Sequence, residues 1–250
     1  MGVEKKNLGS LLADTFFLIK ENFLFLMSVV AVVYVPLCAL FFLFLGSTFA
    51  FKDEIDALVV NKSALVIFLG IVLFIALIVV TFLAVMIFSV AMIKAIKACD
   101  EKKDVSLRDL YQLSFAGLGP FCVVILWVFV KVSLWSFLLI VPGVVFALFY
   151  SFAQIVFILD GKQGVSALEA SRSMIQPYFW EFVGKSFVAG LIFLVVSGIF
   201  SFILHYFFPL NAGWDLVFAR ILENLVNSFL GVFPMTFGYF LYKDLKERGC

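Results

Sequence analysis

Five polar side chains are embedded in hydrophobic sequence, and intramembrane chemistry in this chain has to start from them. Arg220, Glu223, Asn224 and Asn227 recur at i, i+3, i+4 and i+7, which puts them on one stripe of a helix. Lys131 stands inside a separate apolar run, 118–140. A charge at the centre of a bilayer costs about 2.5–3.5 kcal/mol on insertion scales, so each needs a partner or a task. Counted from the outer ends of their helices, Lys131 is roughly 13 Å deep and Glu223 roughly 10 Å deep. Those matching depths predict an ion pair. Two readings fit the cluster. It lines a polar pocket opening outward, for a small solute, a lipid headgroup or a proton. Alternatively, Lys131–Glu223 and the two asparagines glue helices together while Arg220 reaches for the outer headgroups.

Other residue types offer less. Cys38, Cys99, Cys122 and Cys250 have neither metal-ligand spacing nor a disulfide framework. Cys250 has no residues after it to make a prenylation motif. A single histidine, His205, excludes a histidine-cluster metal site and reads as a satisfied interfacial residue. Asp53, Glu54 and Asp56 form a solvated acidic loop with nothing beside them to complete a hydrolytic site. Gly161 and Gly164 make a turn, not a phosphate cradle, because no strand precedes them. Ser186, Gly190, Ser197 and Ser201 share a face suited to close helix packing. Gln154 is expected to bond a neighbouring helix, and Pro36 and Pro234 to kink theirs. No cofactor or metal is expected, and the reading is non-enzymatic.

The elements that position these residues are membrane helices. Apolar residues make up 64% of the chain and charged ones 14%, and the mean hydropathy is +1.17; soluble domains average about half and a quarter. A net charge of +1 leaves no basic stripe for nucleic acid. Ala64 to Ile93 contains no charge at all, and about 20 apolar residues suffice to cross a bilayer core. Six spans are read: 23–45, 64–93, 118–140, 143–159, 182–207 and 216–242, with Pro142-Gly143 as the tight turn of a hairpin. The second exceeds what a bilayer needs and should tilt or project. No cleavable signal peptide is expected, so the first span stays.

Lysine and arginine fix the count. With six spans, fourteen of them fall on one side (Lys5, Lys6 and Lys20, through Lys94–Arg108, to Lys243, Lys246 and Arg248) and only Lys52 and Lys62 on the other. Five spans would split them eight to eight. The positive-inside rule selects six, both termini cytoplasmic, in a cell (inner) membrane. Three times, moreover, a polar N-cap opens a short amphipathic stretch before a long span: Asn7, then Leu8, Leu11, Leu12 and Phe16; Ser106, then Leu107, Leu110 and Tyr111; Ser166, then Ala167, Ala170 and Met174. Ser166 and Glu169 have capping-box spacing. Such helices lie in the headgroup region, and Tyr178, Trp180, Tyr206 and Trp214 are interface aromatics. The fold class is all-α: a polytopic membrane protein of three hairpins with short cytoplasmic amphipathic helices, one domain over 1–250.

The order Leu138-Leu-Ile-Val-Pro142-Gly143, Phe149-Tyr150, Phe152-Ala153, Leu159-Asp160-Gly161, Ser166–Ser173 and Phe179–Gly184, with the ending Phe240–Arg248, resembles the membrane domain of glycerophosphoryl diester phosphodiesterases and related six-helix bacterial membrane proteins. That resemblance implies a six-helix membrane fold. In the full architecture a soluble catalytic domain follows, and no catalytic residue of the family maps onto this chain. The expected role is a non-enzymatic envelope or lipid-associated scaffold, with the bilayer and a lipid or small solute as partners. The alternative is a small-solute or ion transporter with a polar site between the third and sixth spans.

Overall fold

The computed structural model describes residues 6–50, 64–207 and 214–248, and no strand occurs among them. Helix satisfies every backbone group within its own segment, as a bilayer demands. The helices are α1 (Leu8–Glu21), α2 (Phe23–Ala50), α3 (Ala64–Asp100), α4 (Leu107–Ala116), α5 (Leu118–Leu138), α6 (Ile140–Phe149), α7 (Ala153–Asp160), α8 (Val165–Ile175), α9 (Phe179–Phe207), α10 (Trp214–Leu230) and α11 (Val232–Arg248). Six segments among the described residues are long and apolar enough to cross a membrane: Phe23–Phe44, Phe68–Asp100, Leu118–Phe137, Ile140–Asp160, Val165–Phe207 and Phe218–Arg248. The molecule is therefore an all-helical, multi-pass membrane protein.

The chain packs as two compact units. The first comprises Met1–Val29, Met86–Phe193 and Gly231–Cys250; the second comprises Val30–Val85 and Leu194–Leu230. In the first unit α1 packs on α11, α5 pairs with α6, and α8 is held against α5, α6, α7 and α11. Its core includes Met86, Val90 and Phe121, flanked by Leu118, Ile125, Phe157 and Ile158. In the second unit parts of α2, α3 and α9 accompany α10, and exposed apolar side chains such as Leu73, Phe74 and Phe202 dominate their surfaces.

The local departures from the sequence expectation have physical causes. The α3 helix runs on from Ile93 to Asp100, because Ala95, Ile96 and Ala98 are still buried there. The hairpin turns at Leu139, a single extended residue with φ −160° and ψ 137°, rather than at Pro142-Gly143. Proline fits the first turn of a helix, where its missing N–H costs nothing, so Pro142 starts α6 and Gly143 packs against α5. A Cβ on Gly143 would lie 2.7 Å from Ser136 Cα. Pro234 likewise sits in the first turn of α11, and the sixth span is interrupted at Gly231, where the missing N–H of Pro234 leaves the Leu230 carbonyl without its donor four residues on. Pro36 is inside an unbroken α2.

The three expected helix starts differ among themselves. Ser106 caps α4, its Oγ accepting from Asp109 N–H at 3.2 Å. Asn7 is the N-cap of α1 without a side-chain bond. Ser166 does not cap: α8 begins one residue earlier, after Gly164 at φ +54°, and Ser166 Oγ donates to the Gln163 carbonyl. The buried face of α8 is Ala167, Leu168, Ser171 and Ile175 rather than Ala170 and Met174, so α8 is a bundle helix. Tyr111 on α4 donates to the Val29 carbonyl at 2.6 Å, and burial pushes its hydroxyl up to about 12.

Candidate functional site

Arg220, Glu223, Asn224 and Asn227 do share one helix, α10, in the second unit. Their partners are local. Glu223 accepts from Ser201 Oγ at 2.5 Å and pairs with Arg220 at 3.1 Å, and Ser197 Oγ donates to Asn227 at 2.5 Å. His205 Nδ1 donates to the Ser201 carbonyl at 2.7 Å. Ser197, Ser201 and His205 on α9 thus run antiparallel to Asn227 and Glu223 on α10, as a polar zipper. The small face of α9 is more than a packing surface: two of its serines are donors. Lys131 lies on α5 in the first unit, half-buried, and makes no ion pair among the described residues. Arg220, three residues away on the same helix, neutralises Glu223 in its place. Asn224 instead lines a cavity of about 280 Å³ with Tyr34, Thr81 and Ser228.

A second polar constellation, unforeseen in the sequence, ties the basic end of the first unit together. Lys185 Nζ bonds Glu181 at 2.7 Å, Asp244 at 3.3 Å and the Lys6 carbonyl at 2.8 Å. Arg248 closes the ring onto Glu181 at 3.0 Å and onto Asp244. Lys185 and Asp244 are buried, and two cations against two anions leave no net charge to desolvate. Two further carboxylates end helices. Asp100 closes α3 and Asp160 closes α7, where the helix dipole disfavours negative charge. Each is answered by a tyrosine and a lysine four residues apart on α11. Asp100 meets Tyr239 at 2.9 Å and Lys243 at 2.7 Å; Asp160 meets Tyr242 at 2.8 Å and Lys246. Beside this network the apolar side chains of Phe16, Phe17, Leu113, Phe115 and Trp180 stand outward, Trp180 at 81% exposure.

The third feature is the break in the fourth span between α6 and α7. Phe152 N–H donates to Ser171 Oγ at 3.2 Å, and that hydroxyl donates to the Phe149 carbonyl at 2.7 Å. One side chain of α8 therefore satisfies two of the backbone groups that the break frees. Arg172 stacks its guanidinium over the rings of Phe146 and Phe149, 5.6 and 5.8 Å from their centroids. A cavity of about 350 Å³ opens beside the break, walled by α3, α6, α7, α9 and α11. Gln154, expected to bond a neighbouring helix, faces this cavity and makes no hydrogen bond among the described residues.

Among the described residues no three His, Cys, Asp or Glu side chains are grouped to hold a metal, and Cys38, Cys99 and Cys122 are free thiols. Lys5, Lys52, Asp53, Glu54, Asp56, Lys62, Cys250 and the side chain of Trp214 lie outside the described residues. Lys185, Arg248, Glu181 and Asp244 are committed to one another, whereas Ser151, Gln154 and Ser186 line the cavity without a side-chain hydrogen bond among the described residues. Compared with protein-family models, curated proteins and solved structures, the chain matches none of them.

Proposed function

We propose that this chain is a non-enzymatic, multi-pass component of the cell (inner) membrane, both termini cytoplasmic, that holds inner-leaflet lipid as an envelope scaffold. The observation that carries this reading is the outward apolar rim on α1, α4 and the start of α9, formed by Phe16, Phe17, Leu113, Phe115 and Trp180. Short amphipathic helices with such faces settle at the headgroup–acyl boundary, and tryptophan favours that depth. The lysine and arginine bias supports the orientation. The resemblance to a phosphodiesterase membrane domain supports a role that begins with the bilayer. The carboxylates at this end support a non-catalytic reading, because Asp14, Asp100, Asp160, Glu181 and Asp244 each hold a cation.

Native mass spectrometry of the detergent-purified protein tests the proposal. The wild type retains phospholipid, and a variant carrying F16S, F17S, F115S and W180S loses most of it while keeping its helical circular dichroism. Undiminished retention in that variant overturns the scaffold reading.

A further inference from the structure

We propose that the cavity beside the broken fourth span binds an uncharged, single-chain amphiphile carrying a hydroxyl or ester group, such as a monoacylglycerol. Its walls are apolar, with Phe152, Ile155, Phe182, Met235 and Leu241 among them. Three polar residues line it: Ser151 beside the break, Gln154 on α7 and Ser186 on α9. None of the three makes a side-chain hydrogen bond among the described residues. They are not needed to hold the break open, because Ser171 and two backbone turns, Ser151 N–H to the Leu148 carbonyl and Ala153 N–H to the Tyr150 carbonyl, satisfy its backbone. An amide or hydroxyl left unpaired in apolar surroundings costs on the order of 1–3 kcal/mol. No side-chain N or O among the described residues is both fully buried and unpaired; the half-buried Gln154 and Ser186 and the exposed Ser151 keep their donors and acceptors open to a hydrogen-bonding guest.

The chemistry of the guest follows from what is present and what is missing. No lining residue is charged, so a phosphate or carboxylate here would be desolvated with no counter-ion. Two hydroxyls and one carboxamide offer donors and acceptors together, which suits a hydroxyl or an ester carbonyl. The volume is at the small end of ligand cavities, which run about 300–1,000 Å³, and admits one chain. A Cβ built on Gly238, a half-buried lining residue, meets nothing within 4 Å. Irregular backbone at membrane depth is tolerated where it lines a cavity or is buried in protein; Ser151 and Phe152 line this one, and Phe152 is buried.

The inference is independent of the outward rim and shares with it only that the guest is a lipid. The test uses the whole protein in phosphatidylcholine nanodiscs, with ten-carbon monoacylglycerol, decanoate and decane as probes in native mass spectrometry and thermal shift. Monoacylglycerol should bind one to one and raise Tm. Decanoate and decane should each bind weaker by about five- to tenfold or more, the scale of a lost hydrogen bond. Gln154→Leu should weaken the monoacylglycerol by a similar factor while raising the Tm of the unliganded protein, because it removes an unpaired amide. Gly238→Leu should fill the space and abolish binding. Equal binding of decanoate, or binding indifferent to both variants, overturns the proposal. So does a fall in unliganded Tm for Gln154→Leu, which would make the amide structural. Loss of the rim by F16S, F17S, F115S and W180S should leave monoacylglycerol binding intact, which separates failure here from failure of the scaffold reading.

Discussion

Ser171 carries more of the fold than its size suggests. Its hydroxyl accepts from one side of the break in the fourth span and donates to the other. Ser171→Ala would leave both the Phe149 carbonyl and the Phe152 N–H unpaired in a buried setting, at about 2–3 kcal/mol. A thermal melt in detergent should show the loss, and hydrogen exchange should rise at Phe152 in particular. In the sequence Ser171 was only a small residue within a familiar-looking stretch. Its partners lie 19 and 22 positions away, and nothing in local spacing announces them. Glu223 teaches the converse. Its depth matched Lys131, yet it took Arg220 three positions away, because a neighbour on the same helix is already in place when the helix forms. The stripe on α10 was legible from periodicity; its partners were not.

At the scale of elements, the same chain shows one helix end chosen by sequence and one tolerated. The α7 helix closes on Gly161 at φ +70°, the left-handed cap that glycine favours. The α3 helix closes with Lys102 at φ +52°, a conformation costing an ordinary side chain roughly 1–2 kcal/mol. The first was readable as a turn; the second carries no sequence signal. Gly143 is a glycine of a different kind, placed by approach rather than by dihedral. Gly143→Ala would drive a methyl group into Ser136 of α5 and separate the hairpin. A loss of about 1–3 kcal/mol is expected, as for other overpacked sites, with weaker stacking of Trp135 on Phe146, now 4.5 Å apart. Trp fluorescence alongside the melt would register both effects. Helix existence was legible throughout from apolar length. The turn expected at Pro142-Gly143 lies at Leu139 instead, because Pro142 belongs to the first turn of the next helix.

For the whole molecule, the decisive structure is the ionic ring at the basic end. Charge counting places Lys185, Lys243, Lys246 and Arg248 on one side and is silent about their partners; the fold pairs them. Their partners stand as far away as the 179 positions from Lys185 to Lys6, a distance at which sequence spacing is silent. Asp244→Asn would leave Lys185 and Arg248 sharing Glu181 alone, so about 3–5 kcal/mol should be lost. Hydrogen exchange would rise along α1 as Lys6 is released, and unchanged protection there would show that the ring does not hold α1. The same ring bears on biogenesis. Asp100, Asp160 and Glu181 emerge from the ribosome long before the tyrosines, lysines and arginine of α11 that answer them. Until α11 is synthesised, Asp100 and Asp160 wait without those partners, while Glu181 already has Lys185 four residues on. Synthesis stalled before α11 therefore produces a protein that has crossed the bilayer but not locked, and those exposed acids distinguish it from the finished molecule.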